Sequence, residues 1–139
     1  MATYDKTESA ASTSGSALSG VQTYFIRLEA VPVDGDIFQL FDLAKGEAMI
    51  CCAMKVVTAG NGTAPTLSLG VDTAGMLAAS RVDAAAGTAY YSSTAASVMA
   101  PAALLTSAAP FIATYASGGG SPTIKFAIDI ELITIKSAL

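Results

Sequence analysis

The sequence predicts an all-β fold, an antiparallel β-sandwich that is jelly-roll-like and carries an extended N-terminal arm. Apolar and polar residues alternate with period two in several short stretches, which is typical of strands with one buried face. Turn-forming residues separate these stretches, and no stretch has a convincing helical period. Seven or eight short strands in 139 residues are enough for one domain with a buried core.

The predicted arm covers residues 1–20, and a single β-sandwich domain covers residues 21–139. Residues 9–20 are rich in Ser, Ala and Gly and contain one large apolar residue, Leu18. Such a low-complexity segment cannot form a packed core. Two interpretations stay open: a disordered tail, or an arm that becomes ordered by lying along a neighbouring subunit.

The first strand begins at Val21, where strict alternation puts one apolar row on a single face. That row contains Tyr24, Ile26, Leu28 and Ala30. A turn at residues 33–36 ends the strand, and a short second strand covers residues 37–41. Residues 47–58 form an almost wholly apolar run, which predicts a central strand buried on both sides.

The middle of the chain mixes clear and ambiguous signals. Residues 59–64 predict a tight hairpin turn, because Gly and Asn readily adopt positive φ. Residues 66–71 alternate as a strand, whereas residues 76–81 fit a strand or one helical turn. Residues 83–87 fit a helical turn. Residues 88–110 fit a helix, a loop or an edge strand.

The end of the chain is clearer. Residues 111–116 predict a strand, residues 117–122 a flexible loop, and residues 123–136 the strongest strand of the chain. Near its end, Ile133 and Ile135 move the apolar residues to the opposite face. This change predicts either a bulge that resets the register or a strand covered on both faces.

The composition excludes several function classes. The chain has no His, so Ser-His-Asp and Cys-His catalysis and His-ligated zinc are excluded, and we expect no enzyme, no cofactor and no metal. Its net charge of -4 lacks the basic character that nucleic-acid binding requires. By contrast, 28 Ala, 14 Ser, 14 Thr and 12 Gly make up about half of the chain and favour a packing or scaffolding role.

Few residues suggest chemistry. Adjacent Cys51 and Cys52 are expected to be reduced packing residues, because neighbouring side chains on a strand point apart. The sequon at Asn61 is better interpreted as a turn. Two acids in one turn, Asp34 and Asp36, could bind calcium, but turn chemistry is the simpler interpretation.

Two further acids, Asp129 and Glu131, share one face of the last strand. They could form a general acid/base pair, but the sequence offers no recognisable partner set. We therefore expect a solvated face paired with Lys125 or Arg27.

Residues 84–123 contain no charged residue. Serines, threonines and prolines interrupt every window long enough to span a bilayer, so we expect no membrane partner. A long uncharged segment is instead typical of burial against another subunit. The predicted partner-binding residues are Leu18, Val21, Tyr91, Val98, Met99, Leu104, Leu105, Ile133 and Ile135.

The low-complexity arm, residues 56–63 leading into residues 67–72, and the closing strand at residues 124–132 resemble small virion proteins of tailed bacteriophages. From about residue 45 onward, the chain is similar in style to the β-sandwich decoration or cement proteins that coat capsids. This resemblance implies a non-enzymatic structural protein that binds the outside of a capsid and stabilises contacts between major capsid protein subunits.

The implied partners are the major capsid protein and further copies of the chain itself, as a homo-oligomer and specifically a trimer. The N-terminus lacks a secretory signal, so synthesis in the host cytoplasm and a final location on the virion surface are expected. Two alternatives are another phage component, such as a tail or fibre protein, and a carbohydrate-binding β-sandwich module suggested by Tyr90, Tyr91 and the acidic turns.

Overall fold

A computed structural model of the chain describes residues 2–14, 20–71, 76–92 and 105–136. In these residues ten strands form two five-stranded sheets. The strands are β1 Thr3–Asp5, β2 Ala11–Ser14, β3 Val21–Ala30, β4 Ile37–Leu43, β5 Glu47–Thr58, β6 Thr66–Gly70, β7 Leu77–Arg81, β8 Ala89–Tyr91, β9 Ala109–Ala116 and β10 Phe126–Lys136. A 3-10 helix, Thr7–Ser9, lies between β1 and β2.

The strand order defines the architecture. The first sheet has the order β1-β4-β9-β6-β7, and the second has the order β2-β3-β10-β5-β8. Strands β3 to β10 pair only antiparallel, and most successive strands in this series lie in different sheets. Four antiparallel strands in each sheet with this interleaving make a jelly roll, so the predicted fold class is confirmed.

The N-terminal residues are extended and lie along this chain's own sheets. Strand β1 pairs in parallel with β4 at the edge of the first sheet, and β2 pairs antiparallel with β3 at the edge of the second. The 3-10 helix connects the two strands and has no buried residue. Residues 2–14 therefore close one side of the sandwich, mainly through backbone hydrogen bonds.

The core fills the space between the two sheets. Tyr24, Ile26 and Leu28 face inward, as the alternation predicts. Phe41 lies between Tyr24 and Phe111, with ring centroids 5.3 and 5.8 Å away. Burying each such large apolar side chain stabilises the fold by about 1.5–3 kcal/mol.

The predicted hairpin at residues 59–64 is wrong. Strand β5 before it belongs to the second sheet, whereas β6 after it belongs to the first sheet. The glycines and Asn61 do form a compact loop, but that loop crosses between the sheets. The hairpin of this region instead joins β6 to β7, which pair antiparallel.

Strand β5 lies inside its sheet, between β10 and β8, but is not buried on both sides. Cys52, Met54 and Val56 face the core, whereas Ile50 is 40% exposed and Cys51 is half-buried. The pairing of β5 with β10 shifts at two places, where Ile50 and Val57 are the extra residues. The apolar composition of β5 therefore supplies both a core face and an apolar outer face.

Near the end of β10 the apolar residues move to the outer face for a reason that neither predicted alternative gives. Pairing with β3 runs without a shift from Phe126 to Ile135, and the inward position after Leu132 is taken by buried Thr134. Ile133 and Ile135 consequently point outward. The bulge lies in the neighbouring strand β5, not in β10.

Three local predictions are settled by the backbone. Residues 77–81 form a strand, so the helical alternative is excluded there. Residues 83–87 do not form a helical turn, because Thr88 N–H donates to Ala85 O in a tight turn in which Gly87 has φ +96°. The last strand begins at Phe126, and Ile124 before it is exposed.

Candidate interaction surfaces

Asp36 fastens the start of the arm to one end of the sandwich. Its side chain is 1% exposed, and Oδ1 accepts a hydrogen bond of 2.8 Å from Ala2 N–H. The second oxygen, Oδ2, accepts from Val33 N–H at 2.8 Å. A buried carboxylate needs such donors to offset its desolvation, and here each oxygen has one.

Two further side chains clamp loops at the same end. Asn61 Oδ1 accepts from the N–H groups of Thr123 and Ile124, both at 2.9 Å, and Nδ2 donates to Thr123 Oγ1 at 3.0 Å. Asp34 Oδ1 accepts from Ser117 N–H at 2.8 Å. The Asn61 amide is thus a structural part of the loop, in agreement with the turn interpretation of the sequon.

Glycines allow these loops to pack closely. A Cβ atom on Gly118, which has φ +68°, would lie 2.9 Å from the backbone of Ala64. A Cβ atom on Gly120 would lie 2.6 Å from Thr63 N. The loop that was expected to be flexible, residues 117–122, is therefore packed against the loop that follows β5.

This clamped end displays apolar side chains to solvent. Val31, Val33 and Ile124 are between 49% and 57% exposed. Val31 and Val33 follow β3 and Ile124 precedes β10, and since Ala30 pairs with Phe126, all three emerge at one end of the sandwich. We call Val31, Val33 and Ile124 the end patch.

On the outer face of the second sheet, the part nearer the end patch carries charged residues. Arg27 forms a two-point ion pair with Asp129 at 2.7 and 2.9 Å, and Lys125 Nζ lies 3.4 Å from Glu29. The hydrogen bond from Arg27 to Asp129, with their charge attraction, raises the pKa of Arg27. The predicted pairing is found for Asp129, whose partner is Arg27, whereas Lys125 pairs with Glu29 and not with Glu131.

The other part of the same face is apolar. It carries Phe25 on β3, Ile133 and Ile135 on β10, Ile50 on β5 and Tyr91 on β8, and we call these five residues the outer-face patch. Tyr91 is the most exposed of them, at 72%. Three predicted partner-binding residues, Tyr91, Ile133 and Ile135, are thus placed on one face of one sheet.

A cleft of about 220 Å³ opens beside Tyr91. It is lined by Cys51, Cys52, Ala53, Tyr91, Ser92, Glu131 and Ile133. The register explains the cleft, because small Ala53 on β5 lies between Glu131 on β10 and Tyr91 on β8. A short side chain between two long ones leaves a depression in the sheet surface.

Of the other predicted partner-binding residues, Val21 lies on the same outer face, beside Ile135, whereas Leu105 lies at the core. Val21 starts β3, is half-buried and pairs with Ile135. Leu105 packs against the core, and its N–H donates to Glu47 O at 2.8 Å. Leu18, Val98, Met99 and Leu104 lie outside the described residues.

Sequence reasoning missed the end patch and part of the outer-face patch. The predicted turn at residues 33–36 includes Val33 and the predicted strand at residues 123–136 includes Ile124, whereas no interaction is predicted for Val31, Phe25 or Ile50. Isolated apolar residues beside a proline turn are a weak indication of an interaction surface, because single exposed apolar residues are common. Their significance depends on the strand register that brings them together.

The buried polar groups serve structure. Glu47 is buried, and its carboxylate accepts hydrogen bonds of 2.8 Å from Ala44 N–H, the Tyr24 hydroxyl and the Thr134 hydroxyl. Burial, with the Glu47 hydrogen bond second, raises the pKa of Tyr24. This group joins the start of β5 to β3 and β10 inside the core.

The thiols also differ by location. Burial, and then the neighbouring charge of Cys51, raises the pKa of the Cys52 thiol to about 12. Cys51 is half-buried and lines the cleft. Both thiols are free. Adjacent positions on β5 thus place one thiol in the core and the other on the outer face.

The residues that the structure describes contain no group of three or more His, Cys, Asp or Glu side chains arranged to hold a metal ion. Asp34 and Asp36, the pair weighed for calcium, instead accept hydrogen bonds from backbone N–H groups. Within the same residues, no helix is long and apolar enough to span a membrane.

Comparison with known proteins reveals similarity in structure. No protein-family model matches the sequence, and no match was found among curated protein sequences. A chain in the capsid asymmetric unit of cyanophage Pam1 aligns with a TM-score of 0.64 and 13% identity, over 90% of this chain and 91% of that one.

Two further capsids contain similar chains. A chain of the acid-stable capsid of Helicobacter pylori bacteriophage KHP30 gives a TM-score of 0.57 and 13% identity, over 91% and 92% of the two chains. A chain of the capsid of Ralstonia phage GP4 gives 0.56 and 21% identity, over 84% and 86%. Over most of its length, therefore, this chain has the β-sandwich fold of chains found in phage capsids.

Proposed function

We propose that this chain is a structural, non-enzymatic virion protein that binds the outside of a phage capsid and stabilises contacts between major capsid protein subunits. The observation that carries this proposal is the likeness in fold, over about nine tenths of both chains, to chains of two phage capsids. The virion surface is then its final location. The proposed partners are the major capsid protein and further copies of this chain.

The end patch is suited to docking on a shell. Val31, Val33 and Ile124 stand on loops that Asp36 and Asn61 hold through hydrogen bonds to backbone N–H groups. Because these loops are already ordered, binding costs little conformational entropy. A shell presents many equivalent sites, so copies joined in an oligomer bind it with an avidity above that of a single contact.

The two apolar surfaces fit two kinds of partner. The end patch occupies the loop end of the sandwich, whereas the outer-face patch covers part of one sheet, and the Arg27–Asp129 and Lys125–Glu29 pairs lie on the side of that sheet nearer the end patch. We assign the end patch to the shell and the outer-face patch to contacts between copies. The trimer implied by the resemblance is the oligomer proposed for the shell-bound state.

Deletion of the arm is a poor test of this function. Residues 2–14 pair with β3 and β4, so their removal would expose two sheet edges and leave Asp36 without one of its donors. Loss of shell binding after deletion could then reflect loss of fold. Substitutions on exposed side chains avoid this ambiguity.

The deciding experiment measures binding of the purified protein to shells assembled from the major capsid protein of the same phage. We expect wild-type protein to sediment with the shells and to raise their melting temperature. Val33→Asp and Ile124→Asp should each reduce occupancy strongly, because a carboxylate in an apolar contact loses hydration without gaining a partner.

Ala78→Asp is the matched control, since Ala78 is exposed on β7 of the first sheet. It adds the same charge elsewhere and should leave occupancy unchanged. Absence of wild-type protein from the shells would overturn the proposed function. Equal occupancy of Ile124→Asp and Ala78→Asp would overturn the role of the end patch.

A further inference from the structure

Tyr91 and the cleft beside it are a projecting side chain and a depression on the same surface. Tyr91 is 72% exposed, and it forms one wall of the cleft of about 220 Å³. Phe25, Glu131, Ala53 and Tyr91 occupy paired positions across β3, β10, β5 and β8. Both features are therefore fixed by a continuous part of the sheet.

The cleft has the chemistry that a tyrosine side chain requires. Ala53, Cys51 and Ile133 provide apolar contact for a ring. Glu131 is an exposed carboxylate on the rim, and it has no ion-pair or hydrogen-bond partner among the residues that the structure describes. A phenol that becomes buried needs a hydrogen-bond acceptor for its O–H, and Glu131 supplies one.

We infer that the cleft receives Tyr91 from a second copy of this chain, whose phenol O–H donates to Glu131. The partner is a second copy because the projecting ring, the depression and the acceptor all belong to this chain, so the surface is complementary to itself. Phe25, Ile50 and Ile135 lie on the same face and would be covered by the same contact.

This inference deepens the proposed function, because it names the contact through which copies associate. It is nevertheless measured on the purified protein without shells. If the protein did not bind shells, the proposed function would fail but the association between copies could still be found. If the purified protein were monomeric, this inference would fail but shell binding through the end patch could still be found.

Sedimentation velocity of the purified protein over a wide range of concentrations provides the test. We expect a dimer or a closed ring such as a trimer, and either supports the inference if it depends on Tyr91. Tyr91→Ala should abolish the assembly. Tyr91→Phe keeps the ring and removes the O–H, so it should weaken association about 10-fold or more, as expected for a hydrogen bond to a charged group.

Glu131→Ala removes the acceptor and should weaken association by a similar factor. In the double variant Tyr91→Phe with Glu131→Ala, the loss should be clearly smaller than the product of the two single losses, because both remove one hydrogen bond. Val31→Ala, on the end patch, is the control and should leave the assembly unchanged. Thermal unfolding of every variant verifies that the fold is retained.

Three results would overturn the inference. The first is a wild-type protein that stays monomeric at all concentrations. The second is an assembly that persists in Tyr91→Ala. The third is a crosslink showing that residues 93–104 of the same chain, which follow Ser92 at the cleft, occupy it in the assembled protein.

Discussion

The carboxylate of Asp36 accepts a hydrogen bond from the backbone N–H of Ala2 at 2.8 Å, although 34 residues separate them in sequence. The contact is reinforced in the next residue, where Ile37 N–H donates to Ala2 O at 2.8 Å. Tyr4 then stacks on Phe38 with ring centroids 5.4 Å apart. The arm is thus held by a buried polar anchor, by backbone pairing and by one aromatic contact.

Asp36→Asn should destabilise the protein and loosen the arm. Both oxygens of Asp36 accept from N–H groups, so an amide would direct its own NH₂ at one of those donors. We expect a loss of about 1–3 kcal/mol in the free energy of unfolding, the usual cost of an unsatisfied buried group. Urea unfolding measures the loss, and hydrogen exchange should accelerate at residues 2–5.

The neighbouring Asp34 provides the control. Among the residues that the structure describes, Asp34 accepts one backbone N–H, from Ser117 through Oδ1, and an asparagine keeps that oxygen. Asp34→Asn should therefore cost much less than Asp36→Asn. Equal costs for the two substitutions would mean that the anchor at Asp36 contributes nothing specific.

The glycines of the loop 117–122 should differ in their tolerance of alanine. Gly118→Ala meets the backbone of Ala64 and also has φ +68°, whereas Gly119→Ala has φ +98° but no atom within 4 Å. The strained φ alone costs about 1–2 kcal/mol, and a forced backbone shift adds about 1–3 kcal/mol. We expect Gly118→Ala to be clearly more destabilising than Gly119→Ala in thermal unfolding.

Gly120→Ala separates steric crowding from backbone strain. Its added Cβ would lie 2.6 Å from Thr63 N, and no left-handed φ is involved. The variant should be destabilised and should lower the protection from hydrogen exchange around Asn61. Unchanged protection there would show that the two loops move apart without cost.

The two adjacent cysteines should react at very different rates with a thiol reagent. Cys51 is half-buried on the outer face, whereas Cys52 is buried and its pKa is raised to about 12. Only the thiolate reacts, and at pH 8 a thiol with this pKa is about 0.01% thiolate. Iodoacetamide labelling followed by peptide mass spectrometry should find the label on Cys51.

Cys51→Ser is the matched control and should leave the folded protein nearly unlabelled. Labelling of Cys52 at a rate similar to that of Cys51 would contradict the burial of β5 against the core. Once the protein is unfolded in urea, both thiols should react.

Local patterns predicted the strands with strong alternation. The inward rows of β3 and β10 follow from their apolar period, and the bounds of β5 coincide with its apolar run at Glu47–Thr58. No alternation of apolar and polar residues predicts that β1 pairs with β4 or that β2 pairs with β3. These edge strands are held mainly by backbone hydrogen bonds rather than by an apolar face. A Ser-rich sequence such as β2 looks the same whether it is paired or not.

Local sequence patterns could not predict which loops cross from one sheet to the other. Asn61 and its flanking glycines indicate a sharp change of direction, but they do not decide whether the next strand returns to the same sheet. That choice depends on which faces of β5 and β6 can be buried together. The end patch had the same difficulty, since Val31 and Ile124 come to the same end of the sandwich only through the register of β3 with β10.

The outer-face patch was predicted in part. The sequence predicts Tyr91, Ile133 and Ile135 as partner-binding residues, and the sheet directs all three outward. The cleft could not be predicted, because it depends on small Ala53 lying between Glu131 and Tyr91. That arrangement requires the register of three strands.

Buried Cys52 should make the protein less stable in alkali. Its pKa is about 12 in the folded protein, against 9.0 for the ordinary thiol. A raised pKa favours the folded state below pH 9, and this contribution is lost as the pH rises from about 9 toward 12. At pH 10.5 the loss is about 2 kcal/mol, because each pH unit costs about 1.4 kcal/mol once the unfolded thiol is ionised.

Cys52→Ala isolates this effect. The variant should be less stable than wild type at pH 7, since it leaves a small cavity, but its stability should fall less steeply with pH. Urea unfolding between about pH 8 and 10.5 should show the gap between the two proteins narrowing by about 2 kcal/mol. Tyr24, whose pKa is also raised by burial, contributes equally to both proteins. Parallel pH dependence in the two proteins would show that Cys52 ionises as readily in the folded state as in the unfolded chain.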